Sequence, residues 1–212
     1  MLLLAFDTAT PAITVALHDG SRVLASTGSV DAMRHGELLA PGIAAVLDDA
    51  GVDRRDLTDV AVGVGPGPYT GLRVGVVTAR TLAASLRLRL HCVCSLDIIA
   101  AAVPDGDPYV VATDARRKEV YWARYDEAGQ RVTDPDVARP DQITVPADAR
   151  AYGRGAQLYA DVLLYDGGPL DPDAAVLATA VAERRLREVE PEPLYLRRPD
   201  AQPPGQRKRA TG

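Results

Sequence analysis

The hydrophobic pattern of the N-terminal half changes its period several times along the chain. Short, almost continuous apolar runs predict strands at residues 2–7, 13–18, 22–27, 60–64 and 90–94. Between them, apolar residues at helical spacing predict helices at 36–50 and 71–88. Asp19-Gly20 predicts a tight hairpin turn between the second and third strands, and Gly51 marks the end of the first helix. The resulting order, three strands followed by helix, strand, helix and strand, indicates an α/β domain.

The C-terminal half has a weaker pattern and begins near Pro104. It predicts strands at 109–113 and 119–125, helices at 156–164 and 173–187, and a loop with at most one short strand at 134–150. We therefore expect an N-terminal lobe at 1–103, a small C-terminal lobe at 104–192, and a partly disordered tail rich in Pro and Arg at 193–212. A hairpin-led sheet that continues into helical crossovers is the order of the ribonuclease H-like domain of the actin-like ATPases.

Composition argues against three classes of protein: a basic nucleic-acid binder, a disulfide-rich or zinc-binding protein, and a membrane-spanning protein. The 212 residues carry a formal charge of −5, which argues against a globally basic nucleic-acid binder but leaves room for a local basic patch such as residues 206–209. Cys92 and Cys94 form neither a disulfide framework nor a zinc site. No apolar run approaches the length of a membrane span, and Asp7 interrupts the apolar N-terminus. We expect a soluble, cytoplasmic protein with buried thiols.

A loop rich in Gly and Pro, residues 65–75, lies between a predicted strand and a predicted helix. Glycines at such a position let backbone N–H groups approach an anion. The spacing differs from the dinucleotide motif G-x-G-x-x-G, because three residues separate Gly67 and Gly71, and no Lys-Ser or Lys-Thr pair follows. A phosphate-binding loop and a rigid strand-to-helix corner both remain open.

The first predicted strand ends in Asp7-Thr8-Ala9-Thr10. A carboxylate and hydroxyls at this point hold a metal-bound nucleotide phosphate in the actin-like ATPases. Asp7, Thr8 and Thr10, together with Gly65 and Gly67, are thus candidates for a vestigial phosphate loop. In the alternative interpretation, Asp7 organises the turn through side-chain hydrogen bonds.

Two helices carry the candidate partner surface. His35 opens the first helix, but position 39 is Leu, so no second metal ligand follows one turn later and we expect no metal here. In the second helix, small residues at intervals of four permit close approach by another element, which is either the chain's own sheet or a partner helix. The candidate interface residues are His35, Leu39, Ile43, Gly71, Gly75, Ala79 and Ala83.

Several stretches taken together resemble one family. They are residues 4–10, His35 with Pro41, the loop 65–75, the segment 114–121 and the segment 193–197. In this order they resemble the bacterial TsaB (YeaZ) family of tRNA threonylcarbamoyladenosine biosynthesis proteins. Pro68-Tyr69 stands where that family more usually has Ser-Phe, a tolerable change within a loop.

The resemblance implies two actin-like lobes, the second reduced, and a role in forming N6-threonylcarbamoyladenosine at position 37 of tRNAs that read codons beginning with A. It implies a scaffold without a catalytic site, which pairs with a TsaD-like catalytic subunit and works with a TsaE-like ATPase. The complex uses ATP and contacts tRNA, whereas this chain holds no cofactor of its own; a homodimer of the free chain is left open by the sequence.

Two features separate the chain from the catalytic subunit. That subunit has a His-x-x-x-His metal motif, whereas Leu39 follows His35 here, and its Gly-Gly motif with Asn is not recognisable in Asp166-Gly167-Gly168-Pro169. The alternatives are a small-molecule kinase of the actin-like class, which Asp7 and the glycine loop favour, and a metalloprotease, against which the missing second histidine argues.

Overall fold

A computed structural model describes residues 1–104, 106–146, 149–165 and 167–197. The predictions for Asp166 and for the basic segment 206–209 lie outside these residues. Among the described residues, no helix is both long enough and apolar enough to cross a membrane.

The first sheet has five strands in the order β3-β2-β1-β4-β5. These are β1 (Leu3–Asp7), β2 (Ala12–His18), β3 (Val23–Val30), β4 (Asp59–Gly63) and β5 (Arg89–Val93). β1 pairs antiparallel with β2 and parallel with β4. All residues of β1 and β4 are buried, which explains why their sequences are continuous apolar runs rather than alternating ones.

Helices cover both faces of this sheet. α1 (His35–Ala50) packs on β2 and β3, and α2 (Tyr69–Leu86) lies beside it on β4 and β5. A short 3-10 helix, Arg54–Asp56, follows α1. The described chain turns back after β5 into α3 (Ser95–Ala100), a fully buried helix that packs against the second sheet.

The second sheet has four strands in the order β8-β7-β6-β9. They are β6 (Tyr109–Asp114), β7 (Val120–Tyr125), β8 (Asp136–Ala138) and β9 (Arg150–Tyr152), with a 3-10 helix at Pro140–Gln142. α4 (Arg154–Leu158) packs on β6. The helix predicted at 156–164 is thus shorter and begins earlier, because β9 runs into it through Gly153 at a φ of 100°.

The last helix, α5 (Ala174–Ala182), belongs to the first sheet by packing. It covers the face opposite α1 and α2, on β1, β2, β3 and β4. The boundary predicted at 103/104 therefore separates the two sheets but not their helices, since α3 packs with the second sheet and α5 with the first. The predicted end of this helix at 187 is wrong because Arg184 adopts a φ of 58°, which ends the helix.

The segment after α5 is anchored by an ion cluster at the edge of the first sheet. Both ring nitrogens of His91 face carboxylates: Nε2 lies 3.0 Å from Asp59 Oδ1 and Nδ1 lies 2.6 Å from Glu188 Oε1. Burial lowers the pKa of His91, but these hydrogen bonds outweigh it, so the pKa is raised. Burial raises the pKa of Asp59, but hydrogen bonds from His91, Thr58 and Arg89 outweigh this effect, so the net shift is downward.

Candidate functional site

The candidate site lies where β1, β4 and β5 end, next to the N-terminus of α2. Asp7 is completely buried there. Its Oδ1 accepts a hydrogen bond from Ala9 N at 2.7 Å, and its Oδ2 accepts one from Ser95 Oγ at 2.6 Å. Ser95 Oγ in turn accepts from Gly65 N at 3.0 Å. One chain of hydrogen bonds thus joins the end of β1, the start of α3 and the Gly/Pro loop.

Burial controls the charge of the Asp7 carboxyl. Loss of hydration raises its pKa from 3.8 to about 6, against the opposing effect of the hydrogen bonds from Ser95 and Ala9. The negative charge of Asp171 raises the pKa further. Asp7 is therefore ionised near neutral pH but lies close to its titration range.

The Gly/Pro loop and α2 pack directly on the turn after β1. Gly67 approaches the carbonyl oxygen of Ala9, and Gly71 approaches that of Thr8, so closely that a Cβ on either glycine would overlap the oxygen. Thr8 Oγ1 donates a hydrogen bond to Gly71 O at 2.8 Å. The turn thus presents carbonyl oxygens toward these glycines, and oxygens at this place oppose the approach of a phosphate. The contacts favour the turn-organising alternative for Asp7, Thr8 and Gly67.

His35 belongs to the same arrangement. It is buried, and its Nε2 lies 2.8 Å from the carbonyl oxygen of Thr10. Because a carbonyl oxygen only accepts, Nε2 carries the proton, and His35 ties α1 to the turn after β1. Within the described ranges, no group of three or more His, Cys, Asp or Glu side chains is arranged to hold a metal ion.

The small-residue stripe of α2 faces inward, which corrects the reasoning behind the predicted partner contact. Gly71, Gly75 and Ala79 are buried, and a Cβ on Gly75 would lie 2.5 Å from Thr8 Oγ1. Ala83 is half-buried against the same core. The stripe packs on the chain's own sheet because β4 and the turn after β1 fill the space beside it.

The predicted interface residues of α1 are also turned inward. His35 and Leu39 are buried, and Ile43 packs against the core from a half-buried position. The two helices expose other positions. From these we define the outer face of α1 and α2 by its small or uncharged residues: Ala40, Pro41, Ala44, Ala45, Val77, Thr81 and Ala84. The exposed Arg73 and Arg80 lie on the same side of α2.

The structure adds residues that the sequence pattern did not single out. Ser95 lies just after the buried end of β5, as Asp7 lies at the end of β1, and this similarity of position is the one feature that could have revealed it. Asp171 forms an ion pair with Arg154 of α4, whose Nε lies 3.1 Å from the Asp171 Oδ1. Thr14 of β2 donates a hydrogen bond to Pro172 O at 2.9 Å. These contacts hold the segment before α5 against both sheets.

The C-terminal segment closes over the Gly/Pro loop. Leu194 N donates to Val64 O at 2.8 Å, and the Tyr195 ring stacks on Tyr69 with centroids 5.1 Å apart. Arg197 Nη1 donates to Ala115 O at 2.9 Å. Residues 193–197, predicted to begin a partly disordered tail, therefore pack on both lobes.

The chain is similar in sequence to one family model and to several known proteins. The family model described as TsaD, tRNA N6-adenosine threonylcarbamoyltransferase, matches residues 29–167. An uncharacterized protein of Mycobacterium tuberculosis is 43% identical over 206 residues, covering 95% of this chain and 94% of its own length. A Mycobacterium leprae protein is 42% identical over 206 residues, and the chain spans 56% of its length.

Two further comparisons carry names. The tRNA threonylcarbamoyladenosine biosynthesis protein TsaB of Escherichia coli is 32% identical over 220 residues, covering 93% of this chain and 95% of its own. The structure of YeaZ from Pseudomonas aeruginosa is 30% identical with a TM-score of 0.77, covering 92% of this chain and 99% of that one.

The two sheets with their crossing helices and the buried loop at the end of β1 define a mixed α/β protein of the actin-like ATPase type, as the match to the YeaZ structure indicates. The chain belongs to the TsaB (YeaZ) family of tRNA threonylcarbamoyladenosine biosynthesis proteins.

Proposed function

We propose that this chain is the non-catalytic scaffold subunit in the formation of N6-threonylcarbamoyladenosine at position 37 of tRNA, and that it supports a TsaD-like catalytic subunit by docking through the outer face of α1 and α2. Its relatives named TsaB are biosynthesis proteins of this modification. A TsaE-like ATPase supplies ATP turnover in the assembly, and tRNA reaches the chain through the complex.

The packing of Gly67 and Gly71 on the carbonyl oxygens of Ala9 and Thr8 is the observation that carries the scaffold role. In a phosphate-binding loop the glycines must leave room for the anion. Here the turn after β1 takes that room, and the Asp7 carboxylate bonds internally to Ser95 and Ala9. These contacts support an architectural use of the loop.

The outer face of α1 and α2 supports the docking role. Residues 40–45 of α1 carry no charge, and four of them are exposed Ala or Pro side chains. Val77 of α2, which is 53% exposed, lies on the same side of the sheet. Small, uncharged side chains allow helices of a partner to approach closely, and a partner that also covers Arg73 and Arg80 of α2 has to offer them acceptors. A partner of the same fold offers a matching helix pair.

A binding experiment tests the surface. The catalytic TsaD-like subunit of the same organism is mixed with the wild type, Ala44→Arg or Val77→Asp, and complex formation is measured by size-exclusion chromatography and calorimetry. Val132→Asp is the matched control, because Val132 is 54% exposed but lies between β7 and β8. We expect both outer-face variants to weaken the complex at least tenfold while the control binds normally.

Reconstitution tests the function itself. Modified adenosine in tRNA is quantified with the catalytic subunit and the ATPase, with and without this chain. We expect modification to depend on this chain and to fall in proportion to binding for Val77→Asp. Normal binding by both outer-face variants would refute the docking surface, and full modification without the chain would refute the scaffold role.

A further inference from the structure

A cavity of about 520 Å³ lies between α3, the turn that follows β7 and the segment after α5. It is separate from the turn at Asp7 and from the outer face of α1 and α2. Its volume falls in the range of small-molecule sites, about 300–1,000 Å³. The wall combines apolar side chains, Ala100, Val103 and Leu186 among them, with four arginines.

The arginines that line this cavity outnumber the carboxylates that pair with them. Arg131 Nε donates to Asp97 Oδ1 at 2.9 Å, and Asp97 also accepts from Tyr125 Oη at 2.7 Å, so this arginine is neutralised by its partner. Arg185 forms an ion pair with Glu183 at 2.6 Å. Arg184 and Arg187 also line the cavity; within the described parts of the chain neither forms an ion pair, although the charge of Arg187 acts to lower the pKa of Asp97. Two positive charges thus remain in a protein whose overall charge is −5.

The backbone brings these two charges to one place. Arg184 adopts a left-handed conformation with a φ of 58°, at the position after a helix where glycine is usual. Arg184 N and Arg185 N donate to Val181 O and Ala180 O, which turns the chain sharply at the end of α5. The turn places Arg184 and Arg187 among the residues that line the cavity, together with the pair of Asp97 and Arg131.

We propose that this cavity binds a small molecule through a terminal phosphate monoester. A phosphate monoester carries a charge of about −1.5 to −2 at neutral pH and offers three acceptor oxygens, which matches two guanidinium groups without other partners. The apolar wall has room for the remainder of a ligand of mononucleotide size. A phosphodiester, with a single charge, fits less well.

The surroundings favour a small ligand over a nucleic acid. Glu183, Glu188, Glu190 and Glu192 follow one another along the exposed segment beside the cavity. A polyanion that extends beyond the cavity would meet these carboxylates, whereas a compact anion inside it would meet the arginines and only one carboxylate, Asp97, which is already paired with Arg131. The positive charge is therefore confined to one exposed turn rather than spread along a track for a phosphate backbone.

Calorimetric titration of the full chain at physiological salt tests the site. The probes are inorganic phosphate, ribose 5-phosphate, adenosine monophosphate and, for comparison, adenosine and a dinucleotide without a terminal phosphate. We expect saturable binding of the monoesters with a Kd of about 1 mM or tighter. Monoesters that bind more tightly than inorganic phosphate identify a phosphorylated metabolite, and equal affinity identifies free phosphate; both support the site.

Two variants and a control locate the binding. Arg187→Gln and Arg184→Asn should each weaken monoester binding about tenfold, the asparagine being chosen because it tolerates the left-handed backbone. Arg55→Gln removes an equally exposed charge that does not line the cavity and should change nothing. Melting temperatures confirm that the variants fold. No saturable binding, unchanged affinity in both cavity variants, or a dinucleotide that binds as tightly as the monoesters would overturn the proposal.

Discussion

Replacing Asp7 by asparagine should remove a large pH-dependent component of stability. In the folded protein the pKa of Asp7 is raised from 3.8 to about 6, mainly by burial. Between these two values the native state holds the proton more tightly than the unfolded chain does. The contribution of Asp7 to the free energy of unfolding is thus fully present below about pH 4 and is lost as the pH rises through about 6.

The magnitude follows from the two pKa values. A tenfold change in proton affinity corresponds to about 1.4 kcal/mol, so the rise from 3.8 to about 6 amounts to about 3 kcal/mol. Asparagine is nearly isosteric and remains neutral. Its amide oxygen can accept from Ala9 N, but its amide nitrogen reverses the bond with Ser95, so the Ser95 hydroxyl proton loses this acceptor at every pH. Relative to its value at about pH 4, the stability of Asp7→Asn should therefore rise by about 3 kcal/mol over that of the wild type by about pH 7.

Urea denaturation of both proteins across this range measures the difference, in which the titration of other carboxyl groups cancels. Asp59→Asn is the control with the opposite sign, because the pKa of Asp59 is lowered and its charge stabilises the folded state at neutral pH. Parallel stability profiles for the wild type and Asp7→Asn would refute the reasoning, since they would mean that Asp7 titrates alike in the folded and unfolded chains.

Further predictions concern the packing of the first sheet. Gly75→Ala should lower the free energy of unfolding by about 1–3 kcal/mol through its clash with a threonine hydroxyl, whereas Gly36→Ala, which meets no atom nearer than 4.0 Å, should leave it unchanged or raise it. His91→Gln should destabilise the protein more at about pH 6 than at pH 9, because its raised pKa makes the ion cluster stabilising at the lower pH only. Cys92 and Cys94, with pKa values raised by burial to about 11 and about 12, should resist a thiol reagent until urea unfolds the chain.

The sequence predicted best those strands and helices whose buried residues recur at the spacing typical of the element. The five strands of the first sheet and the helices α1 and α2 lie within a few residues of their predicted positions, since buried strands and one-sided helices leave distinct patterns. α3 left no such pattern because all six of its residues are buried, so no polar face marks a helical period. α5 is similarly apolar, and its packing on the first sheet depends on contacts between distant parts of the chain.

The candidate site was predicted in part. Asp7 and Gly65, grouped as candidates for a phosphate loop, do lie close together, joined through Ser95. Their hydrogen bonds to Ser95 and to the carbonyl oxygens of the turn could not be derived, because spacing gives no direction for a backbone carbonyl. The same limit applied to the stripe on α2: an interval of four residues identifies a smooth face but does not say whether a sheet or a partner lies against it.

The buried small-residue stripe of α2 also fixes the position of the exposed side on which we propose that a partner docks. Gly71 packs on the carbonyl oxygen of Thr8 and Gly75 on its hydroxyl, so the helix has little freedom to shift toward the turn after β1. A partner that docks on Val77, on the opposite side, therefore meets a surface whose position is set by the buried contact. Such preorganisation lowers the entropy lost on binding. Gly75→Ala should therefore weaken partner binding indirectly, by moving the helix. Adding Thr8→Ala to this variant should restore binding, because it frees the space beside the new Cβ. Adding Thr8→Ser should not restore it, because serine loses only the methyl group and keeps the hydroxyl. Restoration by Thr8→Ser would instead place the conflict at the methyl group.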